Sequence, residues 1–227
     1  MNASFVESLI SRIVAEEIKL LDEKAVPLDQ LEAEAVALMI LGDSTDKVYI
    51  LYDTTALKNF LGTSDFSLYP NDPDTFFVVS FVASSWFEMC NFWTIDMSAA
   101  RNGYGPISYE IVMSEVSPDF ITSDRKNVSS KARNVWQRFY TDRANEFDIK
   151  PISYKTADEN ETCGHAKAGS DISLTKAFSI KSKLNVGVLI ENHKRFLDQT
   201  PKGFDHQFLT DYIYKSGQKF FRENYKG

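Results

Sequence analysis

Phe5, Leu9, Ile10, Ile13, Val14, Ile18 and Leu21 recur at three-to-four spacing, which predicts an amphipathic helix over 1–24 whose apolar stripe needs a surface to lie on. The period then changes. AEAVALMILGD and KVYILYD are apolar, β-favouring runs separated by Ser-Thr-Asp, and they predict a hairpin centred on Ser44 to Asp46. ALKNFLG reads as a short helix ending at Gly62, and SLYPNDPD, with two prolines among Asn and Asp, reads as a loop. Aromatic and β-branched residues crowd Phe76 to Ala83 and Asn91 to Met97, as in two adjacent strands joined around Trp86 to Met89.

After these strands Pro106 suits a first helical turn, and Tyr109, Val112, Met113 and Val116 supply one apolar helix face. DFITSD returns as a short strand. From Ser129 or Ser130, either a fair N-cap, the spacing Ala132, Val135, Trp136, Phe139, Tyr140 makes the clearest amphipathic helix of the chain. YKTADENETCGHAKAGSD reads as a polar loop, Leu184 to Ile190 as a strand or the start of a helix, and the final aromatic-bearing segment as helical. No repeat or linker interrupts the order, so the reading is a single domain over 1–227, with 1–24 as an N-terminal helix and 155–227 as a C-terminal elaboration. The predicted fold class is α/β (α+β): a mixed, mostly antiparallel central sheet with helices on both faces.

With 32 acidic against 25 basic residues the formal charge is -7, which gives general binding to a phosphate backbone little support. Lys126, Lys131, Arg133, Arg138 and Arg143 form the one basic run, read as a solvated helix face in preference to a nucleic-acid site. The N-terminus lacks a basic flank and carries Glu7, Glu16 and Glu17 within its apolar run, so neither a secretory signal nor a membrane span is expected. Cys90 and Cys163 form no C-x-x-C pair, which makes a reducing, cytoplasmic setting the simpler assumption. His165, His193 and His206 are scattered at no ligand spacing and read as surface or loop residues, with no metal implied.

The chemistry therefore turns on SAARNGYGPISYE, Ser98 to Glu110. Two glycines between a strand and a proline-started helix can expose backbone N–H groups to an anion, because a helix leaves its first donors unpaired and its dipole favours negative charge. A dinucleotide fingerprint would want a third glycine where Ser108 stands, and the phosphate loop of nucleotide triphosphatases would want G-K-[ST], which is absent. A phosphate cradle or a tight turn remains.

From about Val78 to Asp148, the strand, the ARNGYG loop, the helix and then SDRKNVSSKARNVWQRFYTDR resemble the core of GCN5-related N-acetyltransferases, and in particular divergent members encoded by bacteriophages. In that family the loop between the fourth strand and third helix binds the pyrophosphate of acetyl-CoA, and the splayed end of the fourth strand pairs with its pantetheine arm. The resemblance implies Met97, Ser98 and Ala99 at the arm, and Asn102, Gly103, Tyr104, Gly105 and Pro106 at the pyrophosphate. The chain departs from the family at two places. Ala100 stands where Gln or Arg is usual, with Arg101 one position late, and Trp136 stands where a tyrosine gives a proton to the departing thiolate. An indole N–H does not ionise usefully in this range.

Tyr140, one turn along the same face, is the candidate replacement acid, set against a plain core aromatic. Glu88, between the two aromatic strands, is the candidate base for the attacking amine, set against a solvated acid in a strand connection. Asp96 either faces away from its apolar neighbours or is a paired buried acid. The expected function is that of an acetyl-CoA-binding N-acetyltransferase-like phage protein acting on an unidentified amine. The alternative is a catalytically silent protein of the same fold that serves as a phage structural or partner-binding component, in the cytoplasm or the virion.

Overall fold

Gly42 turns the first hairpin at φ +112°, where an added Cβ would sit 1.9 Å from the carbonyl oxygen of Asp46, so the corner tolerates no side chain. The Asp43 carboxylate accepts from the Thr45 and Asp46 amides and closes it. In the computed structural model, which describes residues 26–33, 35–62, 77–123, 128–152, 172–200 and 204–224, that hairpin joins β1 (Val36–Gly42) to β2 (Asp46–Asp53). The helix expected over 1–24 and the segments around SLYPNDPD, Asp124 to Lys126, Cys163 and His165 lie outside the described residues.

Asp53 then caps α2 (Thr54–Leu61), its side chain accepting from the Thr55 and Ala56 amides, and the helix ends at Gly62 as predicted. A short helix, α1 (Leu28–Ala33), precedes β1. β3 (Val78–Phe87) and β4 (Phe92–Ala100) form the expected aromatic pair, joined by a 3-10 turn over Glu88–Cys90. Cys90 is disulfide-bonded, against the reduced thiol that the spacing suggested. α3 (Gly105–Val116), β5 (Ile121–Thr122) and α4 (Ser130–Thr141) follow. Two strands without a distinct sequence signal, β6 (Phe147–Pro151) and β7 (Lys176–Ile180), come next. α5 (Gly187–Asp198) and α6 (His206–Asn224) close the chain, so the ambiguous Leu184 to Ile190 run is the start of a helix.

The sheet order is β1-β2-β3-β4-β5-β7-β6, with β4 and β5 parallel and the other neighbours antiparallel. Helices cover both faces. On one, Trp93, Ile95, Val112, Met113, Trp136, Phe139 and Phe178 belong to a core beneath α3, α4 and the start of α5. On the other, Ile50, Tyr52, Phe81, Leu57, Leu209 and Ile213 join the sheet to α2 and α6. Alternate side chains of β1, β2 and β3 serve the two cores, which accounts for the nearly continuous apolar runs in β1 and β3. This is the mixed, mostly antiparallel architecture that the patterning predicts, and it is compatible with an acetyltransferase-like fold.

Mid-helix Gly217 explains the close seating of α6. A Cβ there would approach Ile50 Cδ1 and Phe81 Cδ2 to 2.9 Å, so the backbone itself lies against the sheet. Tyr52 reaches out of the same core to bond His193 on α5, its hydroxyl 2.8 Å from Nδ1. His193 is thus a half-buried packing residue and not the surface histidine that its isolation in sequence suggested.

Candidate functional site

Alternation fails in the middle of β4. Phe92 to Ile95 are all buried, and then Asp96 and Met97 are both exposed. The cause is a bulge: Ser84 of β3 pairs with Ile95 but Ala83 pairs with Met97, which leaves Asp96 as an extra residue in the ladder. A bulge increases the local twist, and β4 parts from β5 at this place. The two strands share the pairs Trp93–Ile121 and Thr94–Thr122, after which β5 ends while β4 runs on to Ala100.

The gap is a cleft of about 20 Å³, walled on one side by Ile95 to Ser98 and on the other by Ser123, Val128, Ser129, Ala132 and Trp136. That is room for one or two waters. Tyr109 of α3 also lines it. Its hydroxyl lies 2.7 Å from Ser98 Oγ, and burial pushes its pKa up to about 12 although the Ser98 bond pulls the other way. Trp136, 1% exposed, stacks on the Tyr109 ring at 5.1 Å and 20° and leans on Phe178. Ser123 Oγ is buried in the wall without a hydrogen-bond partner, a costly arrangement for a hydroxyl unless something else fills its place.

The glycine loop sits where β4 meets α3. Gly103 has φ +84°, a conformation that favours glycine, and its carbonyl accepts from the Val26 amide. The Tyr104 N–H donates to the Arg101 carbonyl at 3.0 Å, so this amide is committed within the turn. The Tyr104 carbonyl takes both the Ser108 amide and the Ser108 hydroxyl. Gly105 opens α3, Pro106 follows in its first turn, and Arg101 and Asn102 are exposed at the rim. Ser129 caps α4 by accepting from the Ala132 amide at 3.2 Å, which fixes the opposite lip.

The residues singled out in the sequence fall in three places. Met97 and Ser98 line the cleft, whereas Ala99 packs toward the α2 and α6 core. Asn102 to Pro106 form the loop beyond its end. Glu88 is exposed in the β3–β4 corner, at the opposite end of β4 from that loop, and does not line the cleft. Tyr140 is half-buried against the core, with Lys176 Nζ 5.9 Å from its ring, and is also absent from the lining. Asp96 is exposed and therefore not a buried acid, and it lines the cleft.

Tyr109 was not singled out as a site residue, and Ser123 stood only in a Ser-Asp-Arg run at a strand end whose contact with a ligand was a secondary possibility. Tyr109 looked like one more apolar position of a helix face. Of the basic run, Arg143 has a local role. Arg143 holds Glu110 of α3 through two bonds of 2.6 and 3.0 Å and bonds Glu146 as well, which keeps the Glu146 carboxyl below the usual range. This clamp ties α3 to the turn that follows α4. Among the described residues, no cluster of three or more His, Cys, Asp or Glu could hold a metal, and no helix is long and apolar enough to cross a membrane. No protein-family model, curated protein or solved structure matches the chain.

Proposed function

We propose that the protein is a divergent, phage-type N-acetyltransferase that binds acetyl-CoA between β4 and β5 and passes the acetyl group to an amine by direct attack. The observation that carries this reading is the parting of two parallel strands after two residue pairs, at a bulge, with a glycine turn and a helix N-terminus directly beyond. Strand β4 past Thr94 has lost its β5 neighbour, so that edge can pair with an amide-bearing arm as it would with a strand. The orphaned Ser123 hydroxyl across the gap offers such an arm a further partner. Beyond the arm, the Gly103 turn and the first turn of α3 favour negative charge.

The bound thioester would supply an activated acetyl group. The chain's own part is to hold it between Met97 and Ser98 on one side and Ser129, Ala132 and Trp136 on the other, out of water. Asp96, exposed on the bulge at the mouth, stands where an approaching cationic amine would pass.

A second reading has its own support. Trp136 occupies the position at which the resemblance expects an acid and stacks into the wall, and the remaining cleft holds no more than a water or two. A protein of this fold that has given up catalysis to bind a partner would look the same. Titration calorimetry and thermal shift with acetyl-CoA and CoA separate the two. Saturable heat and a raised melting temperature are expected, whereas no response at millimolar ligand would leave the silent, partner-binding reading.

A further inference from the structure

With Trp136 in the wall and Tyr140 outside the lining, no phenol of α4 reaches the cleft. One phenol does line it, from α3. Tyr109 is 4% exposed, its ring is held flat against Trp136, and its hydroxyl is 2.7 Å from Ser98 Oγ, which also lines the cleft and is only partly buried. Buried tyrosines need one partner for the hydroxyl, and a backbone carbonyl would do. Here the partner is a second hydroxyl, which can accept a proton on one lone pair and donate its own elsewhere. Its free direction belongs to whatever occupies the cleft.

We propose that Ser98 and Tyr109 form a two-hydroxyl relay that donates first a hydrogen bond and then a proton to the sulfur leaving a bound thioester. Ser98 is the catalytic residue, and Tyr109 is the positioning residue that orients and recharges it. This rests on the acyl-CoA reading of the cleft. As the amine nitrogen bonds to the acetyl carbon, the carbon–sulfur bond breaks and its electron pair stays on sulfur. Sulfur takes the Ser98 proton and Ser98 takes the Tyr109 proton. The attacking nitrogen gives up its proton to solvent, and once the thiol has left, solvent entering the cleft reprotonates the pair through Ser98, which hands a proton on to the buried Tyr109. The products are an acetamide and the CoA thiol. Burial keeps the proton on Tyr109 throughout the neutral range, so its hydroxyl is always available to hold Ser98 in place by a hydrogen bond.

The test reads the thiol of bound CoA, which needs no knowledge of the acceptor. In the wild type, ultraviolet titration of the thiolate should show a CoA thiol pKa lower than that of free CoA by about one, because a donated hydrogen bond favours the charged form. Tyr109→Phe and Ser98→Ala should still bind CoA within about twofold while returning the thiol to its free value, and Ser98→Thr should keep it low. With acetyl-CoA and either spermidine or a lysine-containing peptide, both hydroxyl deletions should lower kcat roughly 10- to 100-fold at unchanged KM. If Tyr109→Phe fails to fold, Ser98→Ala carries the test, since it removes a partly exposed hydroxyl. A bound thiol with the free pKa in the wild type, or a lowered pKa that survives both deletions, overturns the relay alone. Absence of CoA binding by the wild type overturns the acyl-CoA reading and the relay with it.

Discussion

Strands β1 to β4 and strands β5 to β7 belong to one sheet but are built differently. The first four are seven to ten residues long and stay in register through a continuous antiparallel ladder, interrupted only by bulges. In the second group β5 has two residues and meets β7 at the single pair Ile121–Phe178. Backbone pairing is therefore continuous across the first region, whereas in the second it thins to two pairs and then one at β5, and side chains pack across that break. Trp136, Phe139, Phe147 and Phe178 pack ring on ring there, and Arg143 clamps Glu110 of the helix that crosses from one region to the other. A cleft opens where one mode of cohesion gives way to the other. The lesson is that the gap needs no missing residue: a bulge at Asp96 and a strand of two residues suffice.

The contrast can be broken most directly at Trp136. Trp136→Ala removes the largest fully buried side chain of the second region and should cost about 3–5 kcal/mol. In a chain of this size that lowers the melting temperature by roughly 10 °C, measured by circular dichroism. A fall of a degree or two would mean that side-chain packing at the seam is not what holds the regions together.

Gly217→Leu should cost less, about 1–3 kcal/mol, by forcing α6 off Ile50 and Phe81 in the first region. Its cost should add to that of Trp136→Ala within about 0.5 kcal/mol, because the two sites belong to separate cores. Strong coupling in the urea denaturation of the double variant would show that the cores act as one.

The smallest effect concerns pH. Burial, and after it the charge of His206, lowers the His193 pKa below the ordinary histidine value. The unfolded chain then binds the proton first. Stability contributed by neutral His193 is complete above pH about 6.5 and declines as pH falls toward the folded-state value. Melting temperatures at pH 7.5 and 5.5 should differ by about 1–3 °C more in the wild type than in His193→Gln. An equal difference would remove His193 from the account.

Much of the first region was legible in the sequence because its signals are local. Ser44 to Asp46 mark the hairpin, Gly62 marks the end of α2, and the aromatic runs at 76–83 and 91–97 are long enough to show strands. Ser129 and the spacing to Phe139 revealed α4 in the same way. The second region was less legible because its elements depend on tertiary partners. Phe147–Pro151 and Lys176–Ile180 are five residues each and, among the described residues, pair with one another and, at one position, with β5. The bulge leaves one trace, the polar Asp96 between apolar neighbours, and in sequence this reads equally as a strand residue facing the opposite side or as a paired buried acid. The Tyr109–Ser98 pair spans a loop and a helical turn, so nothing in the spacing distinguishes it from an apolar face.

The seam of two pairs between β4 and β5 also bears on how the molecule breathes. Amide protection reflects the smallest cooperative unit that must open, and a ladder joined at two pairs divides such units more readily than one joined at seven or eight. The β1–β4 meander and the β5–β7 group would then open as separate foldons, the second at lower free energy. Any ligand wedged between them would act as a bolt, raising the opening cost of the weaker unit toward that of the stronger.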